Sequence, residues 1–215
     1  MPLSAAWEAA STAQNLDLPA MVETGTKEPL RVNPSRQPAP VVYQLSIPER
    51  LGQHQPLKGH LPASLESALG NAFHQYLAFG GKPEALVQAY GLANTLFPET
   101  LQTSAERLDH WIRSRWPEDI TRHAELPLQW RMENRLMRGI ADMVLESEEA
   151  LWLIDHKSFP GSQNQLAEHI SEKAYPGQLW YYKEALEAAT GKPVRGVFRH
   201  FPLSAAMVEI QYEKQ

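Results

Sequence analysis

Two aspartates and a lysine stand where an apolar strand would not ordinarily carry charge. Asp142 follows Gly139-Ile140-Ala141, and Asp155-His156-Lys157 closes the run Leu151-Trp152-Leu153-Ile154. Burying a carboxylate or an ammonium costs several kcal/mol or more unless the group is paired or holds a metal. With a period of two, Leu151, Leu153, Asp155 and Lys157 share one strand face, and Trp152, Ile154 and His156 share the other. A turn near Ser147 to Glu149 brings Asp142 alongside Asp155. Two converging carboxylates make an oxygen-rich site suited to Mg²⁺ or Mn²⁺. A neighbouring lysine can orient attacking water and stabilise charge developing on a phosphate. The same residues also fit a structural ion pair at a strand end, with Asp142 a surface acid near the turn. Spacing alone does not separate the two.

The elements that must position these groups are legible in the periodicity. Leu65, Ala68, Leu69, Ala72, Phe73, Tyr76 and Leu77 recur at helical spacing, so a helix runs from Ser64 to about Phe79 and stops at Gly80-Gly81. Further helices are expected over Pro83 to Tyr90 and Pro98 to Trp116. The period then shortens, and Arg122 to Trp130, Leu136 to Glu146 and Ala150 to Ser158 read as strands. Pro176 opens a helix that ends at Gly191-Lys192-Pro193, and Val194 to Phe201 and Ala206 to Tyr212 supply two more strands. The stretch from Pro160 to Ala174 is polar and poorly periodic and reads as a flap over the site. Prolines 29, 34, 38, 40, 48 and 56 interrupt residues 1–60, which read as an extended arm or linker with one short strand over Val41 to Leu45. The domain proper is expected over residues 61–215.

Gly139-x-x-Asp142, Asp155-x-Lys157 and Gln178-x-x-x-Tyr182 occur in that order. Upstream lie Gly70-x-x-x-His74 on the first helix and Glu125-Leu126-Pro127 on the first long strand. This set resembles the PD-(D/E)XK nuclease superfamily, and more narrowly the RecB/AddA-type exonuclease domain at the C-terminal end of helicase–nucleases. The resemblance implies a restriction-endonuclease-like α/β core, a central mixed sheet flanked by helices with the active site at one end. It implies that His74, Asp142, Asp155 and the main-chain carbonyl of His156 hold Mg²⁺, and that Lys157, Asp155 and Asp142 are catalytic. Gln178 and Tyr182, four apart on one helix face, would contact DNA or support the site, as would Glu125, Tyr175 and Lys173. The chain has no cysteine. It therefore lacks the four-cysteine iron–sulfur staple of some relatives, which points to the cluster-free branch.

Composition bounds the reading. The chain has 215 residues, a formal net charge of -5 and 43% hydrophobic residues, enough for a sizeable core. A protein that grips nucleic acid unaided is usually basic, because phosphate neutralisation supplies most of the affinity. An acidic nuclease fits a strand delivered by a helicase motor in the same polypeptide or complex. No Walker-type Gly-x-x-x-x-Gly-Lys-Ser/Thr occurs, so the motor is not in this chain. No apolar run approaches membrane-spanning length and no signal-peptide pattern opens the chain, so the expected compartment is the cytoplasm. The resulting expectation is an Mg²⁺-dependent deoxyribonuclease, an exonuclease of DNA recombination and repair. A free-standing endonuclease, or a silent nuclease-like module that binds DNA or a helicase, is the alternative.

Overall fold

The hairpin that carries Asp142 organises the sheet. The computed structural model describes residues 30–213, apart from 35–36, 117–119, 133–134 and 173–174. Strands β4 (Thr121–Met132) and β5 (Arg135–Glu146) pair antiparallel over their full length. The other edge of β5 is shared. Its first residues pair in parallel with β1 (Leu30–Val32), and its last four pair antiparallel with β6 (Leu151–His156). Between those partners residues 138–142 make no ladder pair on that edge among the described residues. β5 and β6 therefore part at Asp142, and the split opens one end of the sheet.

Beyond β6 the sheet continues through β7 (Val194–Phe201, parallel to β6) and β8 (Ala206–Tyr212, antiparallel to β7). β2 (Tyr43–Leu45) and β3 (Glu49–Arg50) both pair antiparallel with β8. The result is a mixed eight-stranded sheet flanked by helices. This is the expected α/β architecture. Residues 30–60, read as an arm or linker with one short strand over Val41 to Leu45, supply β2 within that run and also β1 and β3. β1 and β3, strands of two or three residues, carry no period a sequence reading can use, and their partners lie far along the chain.

Helices cover both faces because strand alternation makes both apolar. On one face Val144, Leu151 and Leu153 pack against Leu179, Tyr182 and Leu186. Those three belong to α5 (Tyr175–Thr190), the crossover between β6 and β7. On the other face Met143, Leu145, Ile154 and Phe198 pack against Leu108, Trp111 and Ile112. These come from α3 (Pro98–Arg115), which begins with Pro98 in its first turn and ends on Arg113 and Arg115, as the helix dipole favours. α1 (Glu66–Phe79) buries Leu69, Ala72 and Phe73 against α2 (Pro83–Ala89) and the start of α3. Gly80, at φ 67° and ψ -143°, ends α1 in a positive-φ conformation that glycine adopts without strain.

The stretch read as a flap also contains structure. A capping box joins Ser162 and Gln165, and α4 (Leu166–Glu172) follows, anchored by the buried Leu166 and Ile170. Two apolar side chains four apart hold a short helix to a neighbouring sheet edge but give almost no periodic signal. Lys173 lies outside the described residues. Tyr175 opens α5, and its side chain is likewise outside them.

The segment before β2 is seated on α5. A Cβ at Gly177 would stand 2.0 Å from the Gln37 carbonyl oxygen and 2.7 Å from the Pro38 carbonyl carbon. Alanine is otherwise better than glycine in a helix by about 1 kcal/mol, so the sign of Gly177→Ala reports this contact. A backbone carbonyl cannot rotate aside, and overpacking costs about 1–3 kcal/mol or more. Thermal denaturation of Gly177→Ala is expected to show a lower Tm, by roughly 2–4 °C per kcal/mol for a chain of this size. A raised Tm would mean that residues 37–39 do not sit on α5.

Candidate active site

The split between β5 and β6 collects the motif residues. Asp142 and Asp155 stand on either side of that split, and both are buried. Asp142 Oδ2 accepts a 2.7 Å hydrogen bond from the His156 backbone N–H, which bridges the strands just past their last ladder pair. His74 reaches the same point from α1. Its Nε2 lies 3.1 Å from the His156 carbonyl oxygen, and its Nδ1 lies 3.4 Å from Asp142 Oδ1 and 3.6 Å from Glu125 Oε1. A carbonyl only accepts, so Nε2 carries the hydrogen. A neutral imidazole would then aim the Nδ1 lone pair at two carboxylates. A proton or a metal ion between them makes the arrangement favourable.

Glu125 enters this cluster through its backbone. In the β4–β5 register it stands opposite Asp142, between the pairs Ala124↔Met143 and Leu126↔Ala141. Its φ of 49° is left-handed, and it makes no ladder pair. That conformation costs a non-glycine residue about 1–3 kcal/mol. Oε1 is buried without a hydrogen-bond partner among the described residues. Strain together with a buried, unpartnered carboxylate oxygen is expected where a cation completes the site. One ligand atom each from His74, Glu125 and Asp142 lie within 4.8 Å of one another, which suits a metal ion.

Asp155 is not in that three-residue group. Its Oδ2 is 2.9 Å from Lys157 Nζ and 3.3 Å from a guanidinium nitrogen of Arg199. Arg199 stands directly across from Asp155 in the β6–β7 register and is itself fully buried. Burial works against ionisation of Asp155, but Arg199 and then Lys157 outweigh it and hold the carboxyl below its ordinary value. Asp142 goes the other way. Burial, reinforced by the Asp155 charge, pushes it up to about 7, against the opposing pull of Lys157, His74 and the His156 amide. Lys157 Nζ also donates to the His156 carbonyl oxygen at 3.1 Å. That carbonyl therefore faces the site, whereas the His156 imidazole points away and shares a 3.1 Å hydrogen bond with His200.

Gln178 and Tyr182 sit together beside this centre. Gln178 Nε2 donates to the Tyr182 hydroxyl at 3.0 Å, and both side chains are buried. The Ile140 backbone, within the unpaired stretch of β5, also stabilises the ionised Tyr182 phenol, though burial outweighs it and pushes that pKa up. The ring lies so close to Gly139 that a Cβ there would fall 2.2 Å from the hydroxyl oxygen. The glycine of the Gly139-x-x-Asp142 motif therefore makes room for Tyr182. The Tyr182 ring is also part of the hydrophobic core.

Similarity to known proteins agrees with this geometry. The family model described as the PD-(D/E)XK nuclease superfamily matches residues 40–215. The chain belongs to the PD-(D/E)XK nuclease superfamily. It is also similar to the A-subunit of the ATP-dependent helicase/nuclease of Listeria welshimeri, with 34% identity over 73 residues, 32% of this chain. The chain spans only about 6% of that protein's length. The superfamily match begins at residue 40, before β2, consistent with β2 and β3 being strands of the domain sheet.

Relative to the sequence expectation, the structure brings His74, Asp142, the His156 carbonyl, Lys157 and Asp155 to one place and adds Glu125 to the innermost group. Arg199 was not anticipated. Its one signal is a lone cation inside the otherwise apolar run Val197-Phe198-Arg199. Removing one partner of a buried ion pair typically costs about 3–5 kcal/mol. Urea unfolding of Arg199→Met is expected to show a loss of that order. The loss should shrink in the Asp155→Asn background, where no buried carboxylate is left uncompensated. Equal losses in both backgrounds would mean that Arg199 acts through packing alone.

Proposed function

We propose that this domain hydrolyses DNA phosphodiester bonds with Mg²⁺, for which Mn²⁺ can substitute. It would act as the exonuclease module of a helicase–nuclease in DNA recombination and repair in the cytoplasm. The observation that carries the reading is the His74–Glu125–Asp142 group beside the Asp155–Lys157 pair at the split of β5 and β6. The likeness to part of a helicase/nuclease supports a motor partner. So does the net charge of -5, which leaves phosphate binding weak without help. Among the described residues no helix is long and apolar enough to cross a membrane.

His74, Glu125, Asp142, Asp155 and the His156 carbonyl would hold the ion. When bound, the ion would neutralise phosphate charge and make water a better nucleophile. The chain's own groups have separate tasks. Asp155, kept ionised by Arg199, holds Lys157 in place at 2.9 Å. Lys157 donates hydrogen bonds from Nζ to a non-bridging phosphate oxygen as charge builds there. Water oxygen bonds to phosphorus, the opposite ester P–O bond breaks, and a phosphate monoester and a free hydroxyl result. Gln178 and Tyr182 fix α5 against β5 and so keep Asp142 facing the site.

In a DNase assay with Mg²⁺ or Mn²⁺, Lys157→Ala and Asp155→Ala are each expected to lower cleavage roughly 100-fold or more. Cleavage that survives both substitutions would refute the site. Linear against circular substrates separate exonuclease from endonuclease action. Absence of cleavage together with absence of metal binding would favour the silent-module reading.

Asp142 gives a pH test independent of turnover. Its raised pKa means that the metal-free carboxyl is largely protonated below about 7, whereas a ligand must be ionised. Metal affinity should therefore climb as pH rises through about 7. Calorimetric titration with Mn²⁺ in buffers of different ionisation enthalpy is expected to show roughly one proton released per ion near pH 6 and almost none near pH 8.5. Asp142→Asn should abolish that release.

A further inference from the structure

Four side chains of α1 form a single exposed row at four-residue spacing: Ser67, Asn71, Gln75 and Phe79. Side chains four apart on a helix lie one above the next. The solvent face of a helix is ordinarily charged, yet this row carries no charge. Phe79 ends it with 72% of its surface exposed, so its ring is not there for the core. The row borders a groove of about 490 Å³ that Gly70 and His74 also line, with Tyr90 contributed from just past α2. Glu125 lies on the same groove, which thus opens onto two members of the candidate metal cluster. The Tyr90 hydroxyl donates to Gln75 Oε1 at 2.7 Å, which fixes that ring in the wall.

The lining selects a ligand class. It has no lysine or arginine, so it is not built to grip phosphates. It offers neutral amides and hydroxyls, which match the hydrogen-bonding edge of a nucleobase, and two aromatic rings, which match its faces. A base inside a duplex has its pairing edge and both faces occupied, so only an unpaired base can use such a surface. The volume lies within the ~300–1,000 Å³ usual for small-ligand pockets. Taking the His74–Glu125–Asp142 group as the nuclease centre proposed above, we propose that this groove binds an unpaired base of the strand being cut. The base stacks on Phe79 while the adjoining phosphate lies at the cluster. The domain is thereby selective for single-stranded ends and indifferent to which base arrives, because every base has a face to stack.

The test is fluorescence anisotropy of the full chain with a labelled single-stranded oligonucleotide, its duplex and an abasic version, alongside cleavage of each. Phe79 is exposed, so Phe79→Ala should fold normally, which an unchanged Tm confirms. Phe79→Ala is expected to weaken single-strand binding roughly 5- to 150-fold, the range for losing one stacked base. Phe79→Trp should retain affinity, the duplex should be unaffected, and the abasic strand should bind wild type and Phe79→Ala alike. Equal binding of the ordinary single strand by wild type and Phe79→Ala would overturn the proposal, as would an equal loss on duplex or abasic DNA. If wild type cuts DNA and Phe79→Ala changes nothing, the groove is wrong and the nuclease reading stands. If the Phe79 dependence holds but nothing is cut, the groove stands and the nuclease reading fails.

Discussion

Charge balance around two buried carboxylates governs this end of the molecule. Asp142 and Asp155 lie close together, and the Asp155 charge raises the cost of ionising Asp142. The fold resolves the conflict by dividing the counter-charges. Arg199 and Lys157 are committed to Asp155, which stays ionised. Asp142 has only a share of Lys157, with His74 and a single backbone amide, and at neutral pH it is poised between protonated and charged. A dication arriving beside His74, Glu125 and Asp142 would add the positive charge that Asp142 lacks. Asp155 stays ionised beside the lysine, and Asp142 is the carboxylate that would exchange its proton for metal.

The sheet geometry makes that division possible. Where β5 and β6 are paired, their side chains are Val144, Leu151 and Leu153, and the face is sealed by α5. Where they part, Asp142 and Asp155 follow within two residues of the last ladder pair, Met143 with Ile154. The unpaired stretch of β5 is not left bare: the Tyr182 ring lies against it at Gly139. Gly139 is needed there because a side chain would collide with that ring. A motif that reads as glycine-then-aspartate is, in space, a tyrosine slot beside a carboxylate of the candidate metal cluster.

Much of this was legible in the sequence, and what was not has physical reasons. The strands from Arg122 to Tyr212 and the helices from Ser64 onward follow from uninterrupted periodicity, and the structure keeps them within a residue or two at most ends. His74, Asp142, Asp155 and Lys157 could be named because the order of their motifs along the chain resembles the PD-(D/E)XK superfamily, whereas spacing alone also fitted a structural ion pair. Glu125 looked peripheral because a left-handed backbone inside a strand leaves no mark in residue order. Arg199 was invisible because its partner is set by the parallel β6–β7 register, which a whole crossover of helices determines. β1 and β3 escaped notice because their stabilising partners lie far away in the chain.

The pairing of β2 with β8 has a consequence for how the chain reaches this state. It joins segments such as Gln44 and Glu213, 169 positions apart. Such distant pairings form slowly, because a large loop must close before any contact rewards it. During synthesis β2 emerges early and waits, unpaired, until β8 follows. The hairpin of β4 and β5, by contrast, closes locally and can form while the rest is still being made. The β4–β5 hairpin that carries Asp142 is therefore free to form first, and β2 joins later, at the far end of the sheet order.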